Sequence, residues 1–105
     1  MTLLVPDTQF STSSTNAPQY RTYTVKHETG VPLTYSFCTD CSTVCWKTAE
    51  TDWPGHHIVF AGTLDDEGAL EAVKPDAEFW IKYRVPWVKG LEDTGVVQCQ
   101  GFPEK

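Results

Sequence analysis

The strongest local chemical signal in this 105-residue sequence is a pair of cysteines two residues apart, Cys38 and Cys41. At that spacing one tight turn offers two thiolates to a tetrahedral metal, each about 2.3 Å from a zinc ion. A structural zinc site takes four ligands, and the remaining thiols, Cys45 and Cys99, do not form a second knuckle. The plainer uses of the pair are reduced thiols packed beneath the turn, or a disulfide formed on oxidation. A redox dithiol needs a helix after the motif to lower a thiol pKa, and Ser42, Thr43, Val44, Cys45 and Trp46 read instead as a strand.

The histidines are the next candidates, because their pKa lies near neutrality and suits proton transfer. His56 and His57 follow Pro54-Gly55 and precede the apolar run Ile58-Val59-Phe60-Ala61. Neighbours on a strand point to opposite faces, so the two do not readily share one ion. Either of them is a candidate catalytic proton-transfer group if it faces a pocket, and the plainer reading is a solvated loop histidine beside a strand. His27 lies close to a hairpin tip and reads as structural. The acidic run Asp65-Asp66-Glu67, followed by Gly68, reads as a solvated turn. Gly-rich phosphate loops, Gly-x-Ser-x-Gly elbows and His-Glu-x-x-His helices do not occur in the sequence.

Short β elements must position these groups. Residues 20–27 alternate, with Tyr23, Val25 and His27 on one face. Glu28-Thr29-Gly30 supplies a turn, and Leu33, Tyr35 and Phe37 alternate again, so residues 20–37 form a hairpin that runs into the cysteine pair. Residues 43–47 and 58–61 read as further strands. Residues 11–16 form a polar loop followed by Ala17-Pro18, and residues 69–73 form one or two helical turns ended by Pro75. Residues 77–85 alternate, with Phe79, Ile81, Tyr83 and Val85 on one face and Lys82 and Arg84 on the other. An irregular tail follows, anchored by Trp87. The expected fold is mainly β, a small antiparallel sheet structure with little helix, and residues 1–105 form a single domain.

Composition excludes several classes. Eight basic against fourteen acidic residues give a formal charge of -6, which is no footprint for nucleic acid or an anionic membrane. Thirteen aromatic residues, four Trp, four Tyr and five Phe, supply enough apolar surface for one core and argue against disorder. No run approaches the roughly 18 to 20 apolar residues of a spanning helix. Residues 1–6 lack the basic flank and apolar length of a signal peptide, so a cytoplasmic location with reduced thiols is expected.

Several pieces in order, Phe37-Cys38-Thr39-Asp40-Cys41-Ser42-Thr43, Trp46, Ala61-Gly62-Thr63-Leu64-Asp65-Asp66 and Arg84-Val85-Pro86-Trp87, resemble the glutathione-dependent formaldehyde-activating enzymes, also called the centromere-protein-V-like family. The closing Gln98-Cys99-Gln100-Gly101-Phe102-Pro103 resembles the tails of fungal members. The resemblance implies a β-tent of the Mss4-like type, a carbon–sulfur lyase activity on a glutathione–formaldehyde adduct, and zinc. Cys38 and Cys41 carry over as half of the family's structural zinc site. The family's other structural pair and its catalytic cysteine cluster lie upstream of the part this chain resembles, which implies an N-terminally short member. Ser42 stands where the family usually has Gly, and Cys45 where an aliphatic residue is common.

These readings leave distinct functions. A family-type lyase acts on a small molecule with glutathione as co-substrate, His56 or His57 moving the proton and Tyr35, Trp46 and Trp87 lining the substrate pocket. A repurposed, metal-free isomerase, cyclase or dehydratase uses the same aromatic pocket, drawn from Tyr23, Tyr35, Trp46, Trp53, Trp80 and Trp87, on a natural-product intermediate. A non-catalytic binding or dimerising module is the third reading. A homodimer sharing one zinc between two Cys38–Cys41 pairs is geometrically sensible.

Overall fold

The computed structural model describes residues 1–13, 19–91 and 94–103. Residues 14–18 of the expected polar loop lie outside the described part. The chain divides into two compact units, Met1–Glu67 and Gly68–Lys105.

The first unit is one antiparallel sheet of five strands. These are β1 (Thr2–Pro6), β2 (Tyr20–Lys26), β3 (Pro32–Cys38), β4 (Val44–Thr48) and β5 (His56–Phe60), in spatial order β1-β5-β4-β3-β2. β2 and β3 form the expected hairpin. His27 N–H donates to the Val31 carbonyl at 2.8 Å, and Gly30 takes φ +88°, a conformation that costs glycine little. Strands β3, β4 and β5 continue the meander. β1 then closes the opposite edge, with Leu3 opposite Val59, Leu4 opposite Ile58 and Val5 opposite His57. Nothing in residues 1–6 announces this strand, because Leu3-Leu4-Val5 is too short to display a period.

Cross-strand partners share a face, so the register sorts the sheet into two transverse rows. One row runs Leu3, Val59, Trp46, Ser36 and Thr22; the other runs Leu4, Ile58, Lys47, Tyr35 and Tyr23. The second face carries the small core, where Leu33, Ala49 and Ile58 are buried with Tyr35 and Trp53 packed against them. Between β3 and β4 the register shifts: Ser36 opposes Trp46 while Phe37 opposes Val44. Cys45 is therefore the extra residue of a bulge, a device that bends a strand and re-aims its side chains.

The second unit departs from the expected pattern. Helix α1 (Ala69–Ala72) supplies one turn of the one or two expected over residues 69–73, and β6 (Ala77–Glu78) pairs in parallel with β7 (Val97–Gln98). The strand expected over residues 77–85 stops at Glu78. Trp80 turns into the left-handed region at φ +57°, and Ile81–Tyr83 forms a 3-10 turn. Packing outweighs the alternating pattern here: the Trp80 ring meets Phe102 edge-on at 5.1 Å and lies parallel to Tyr83 at 6.0 Å. Arg84, expected on an open strand face, pairs with the Glu78 carboxylate. Trp87 is 83% exposed and does not anchor the tail.

The turn after Cys38 gives the fold a testable weak point. Ser42 N–H donates to the Cys38 carbonyl at 2.9 Å, and Ser42 sits at φ +64°, where a Cβ is disfavoured. The glycine that the family resemblance places at this position would be free of that strain. Ser42→Gly is expected to stabilise the protein by about 1 kcal/mol and to raise Tm by about 4 °C or more in thermal unfolding. An unchanged or lower Tm would show that the turn is not strained.

Candidate active site

A histidine–aspartate pair forms where β1 and β5 meet. β1 ends at Pro6, and the chain enters a 3-10 turn over Asp7–Gln9. Asp7 N–H donates to the Gly55 carbonyl at 2.9 Å, which ties the start of this turn to the Pro54-Gly55 corner ahead of β5. Gly55 turns that corner at φ +72°. With Val5 opposite His57 in the register, the Asp7 carboxylate comes to lie beside the imidazole. Asp7 Oδ1 and His57 Nδ1 are 2.7 Å apart.

A carboxylate only accepts hydrogen bonds, so His57 donates through Nδ1–H and the neutral ring keeps its lone pair on Nε2. Nε2 has no hydrogen-bond partner among the described residues. Aromatic rings wall the imidazole. Phe10 stacks on it at 3.8 Å with 10° between planes, and Trp46 lies 6.3 Å from it. Trp46 also meets Phe10 edge-on at 5.0 Å and Tyr20 at 4.9 Å. The His57 side chain is 23% exposed, so the ring is walled in yet reachable. An oriented base with a free nitrogen at the rim of an apolar wall is equipment for proton transfer to a small molecule.

His57 and Trp46 thus share this face. His56, one residue earlier, points to the other face, with Nδ1 2.9 Å from the Pro54 carbonyl. Tyr35 is also on the other face, stacked on Tyr23 at 5.3 Å. Trp87 belongs to the second unit. Asp7, Phe10 and Tyr20 went unnoticed as site residues. Asp7 and His57 are 50 positions apart, and no local spacing announces a pair brought together by strand register.

Three of the four thiols, Cys38, Cys41 and Cys45, gather at one end of the sheet. Cys38 pairs with Tyr20 across β2 and β3, and Cys38 N–H donates to the Thr43 carbonyl at 2.9 Å, closing the turn that holds Cys41. Cys41 is exposed, and its Sγ is 3.1 Å from Thr43 Oγ1. Hydrogen bonds from the Thr43 side chain and backbone, and then from Cys38, pull the Cys41 thiol pKa below its ordinary value. Cys45 is pushed the other way, first by burial and then by the thiols of Cys38 and Cys41. Its Sγ–H donates to the Thr43 carbonyl at 3.4 Å.

Zinc is the ion that the family resemblance implies for these donors. Cys38 and Cys41 suit a soft divalent ion. Among the described residues, however, no group of three or more His, Cys, Asp or Glu is disposed around one point to hold a metal. No helix among the described residues is long and apolar enough to cross a membrane.

A sequence model of the glutathione-dependent formaldehyde-activating enzymes matches residues 1–83. No curated protein and no solved structure matches the chain.

The contrast between Cys41 and Cys45 is directly measurable. Because the thiolate is the reactive form, alkylation by iodoacetamide is expected to reach half-maximal rate at lower pH for Cys41 than for Cys45, read by peptide mass spectrometry. Coincident profiles would contradict the Thr43 hydrogen bonds.

Proposed function

The chain belongs to the glutathione-dependent formaldehyde-activating enzyme family, and from that membership we propose that the Asp7–His57 face makes or breaks a carbon–sulfur bond in a small thiol–aldehyde adduct. Glutathione is the thiol that the family suggests. The observation that carries the reading is the 2.7 Å contact between His57 Nδ1 and Asp7 Oδ1, which leaves Nε2 free against the rings of Phe10 and Trp46.

In the cleavage direction, His57 Nε2 takes the proton of the adduct hydroxyl. The oxygen electron pair forms the aldehyde carbonyl as the carbon–sulfur bond breaks. The departing thiolate then receives the proton from the imidazolium. Formation of the adduct is the same path reversed. Asp7 holds the ring in the productive tautomer and stabilises the imidazolium while it carries charge.

Zinc, if bound as a structural ion, would be held by Cys38 and Cys41 and would cross-link the turn. A second copy of the chain related by a two-fold axis would supply the other two thiolates. That arrangement predicts one zinc per two chains in a dimeric fraction by metal analysis and gel filtration. A metal-loaded monomer would contradict the shared site.

A second reading uses the same dyad without a thiol. The rings of Phe10, Tyr20 and Trp46 suit an apolar substrate, and proton transfer by His57 would then serve an isomerisation, cyclisation or dehydration. The two readings separate on substrate. Under the first, the wild-type protein turns over an S-hydroxymethyl thiol, and His57→Gln lowers kcat/KM by about a hundredfold or more. Asp7→Asn lowers it by a smaller factor, about tenfold to a hundredfold, with the fold retained by circular dichroism. Absence of turnover by the wild type, or full activity in His57→Gln, would rule this reading out.

A further inference from the structure

The wall beside His57 carries information about which thiol it can receive. Trp46 stands between two other rings, edge-on to Phe10 at 5.0 Å and to Tyr20 at 4.9 Å, with 64° and 62° between planes. Phe10, Tyr20 and Trp46 are each half-buried, so part of every ring is left at the surface. Leu3 and Val59 continue the same face from Trp46 toward β1, and Val5 lies opposite His57. The surroundings of the imidazole are therefore apolar, and their exposed ring edges and faces suit a further ring.

Charge is the second observation. Within the first unit, Lys and Arg occur at three positions, Arg21, Lys26 and Lys47. Arg21 lies opposite Phe37, and Lys47 lies in the row of Ile58 and Tyr35, so both belong to the other face. Lys26 shares the face of Tyr20 but stands at the far end of β2, about 20 Å along the strand. Residues 1–20, which supply Asp7, Phe10 and Tyr20, hold one charged side chain, the Asp7 carboxylate.

Glutathione carries two carboxylates and an ammonium. Laid on this face, its carboxylates would leave water with no lysine or arginine of the first unit to receive them, and the Asp7 carboxylate would repel them. An ion desolvated without a partner is costly. An uncharged thiol with an aromatic body avoids that cost and gains ring contacts.

We infer that Phe10, Tyr20 and Trp46 are specificity-determining residues, and that the thiol received at the Asp7–His57 face is an uncharged aromatic thiol instead of glutathione. The inference rests on the thiol–aldehyde reading above and names the thiol. In the direction of adduct formation, His57 Nε2 takes the thiol proton, and the sulfur electron pair forms the bond to the aldehyde carbon. The imidazolium then returns the proton to the oxygen. Thiol and aldehyde become the hydroxyalkyl thioether with no further reactant, while the three rings hold the aryl group.

The test uses NMR exchange spectroscopy to follow how fast the whole protein equilibrates formaldehyde with benzyl mercaptan and, separately, with glutathione. Each kcat/KM is divided by the uncatalysed rate constant, which removes the difference in intrinsic thiol reactivity. The normalised value for benzyl mercaptan is expected to exceed that for glutathione by about tenfold or more, with the difference lying in KM. Trp46→Leu, with its fold checked by circular dichroism, is expected to reduce that preference about fivefold. Phe10→Leu gives the same readout should Trp46→Leu not fold. Equal or better use of glutathione by the wild type, or a preference unchanged in the ring variant, overturns the inference and leaves the thiol–aldehyde reading standing. Acceleration of neither thiol overturns both.

Discussion

Pairing of β1 with β5 is the constraint on which the candidate active site depends. Before that pairing, Asp7 and His57 are distant in sequence and neither has a neighbour that suggests a role. Once Val5 lies opposite His57 and Asp7 N–H is fixed to the Gly55 carbonyl, the carboxylate comes within 2.7 Å of the imidazole. Backbone hydrogen bonds thus do the positioning, and the side-chain hydrogen bond sets the tautomer. Phe10, three residues beyond Asp7, falls on the imidazole as a consequence of the same 3-10 turn.

Strand alternation then divides the side chains between two faces. A one-residue slip of β4 would exchange Trp46 and Lys47, placing the amine among the histidine and its aromatic walls. The bulge at Cys45 matters for this reason. It absorbs one residue between the cysteine turn and Trp46, so the turn geometry can be satisfied without moving Trp46 off the His57 face. The cost falls on Cys45, half-buried next to two other thiols and correspondingly slow to ionise.

The hairpin of β2 and β3 was legible in the sequence because alternation, a Gly turn and β-branched residues all agree there. Strand β5 was legible as an apolar run, and the opposed directions of His56 and His57 followed from the period of a strand. Membership in the formaldehyde-activating family was legible through the ordered motifs. What escaped is non-local. β1 is too short to show a period, and Asp7 is an ordinary acidic residue until β1 is paired. The misreading of residues 77–85 has a different cause: Phe79, Ile81 and Tyr83 alternate convincingly, but Trp80 packs with Phe102 and Tyr83, and the backbone turns to permit it.

The most direct measurement of the central claim is the tautomer of His57, read from the ring nitrogen resonances of the labelled protein at a pH where the imidazole is neutral. An oriented base requires the proton on Nδ1, bonded to Asp7, with Nε2 carrying the lone pair. A pure Nδ1–H signature that collapses to the ordinary mixture in Asp7→Asn is the predicted result. A neutral ring protonated on Nε2, or one unaffected by loss of the carboxylate, would contradict the account.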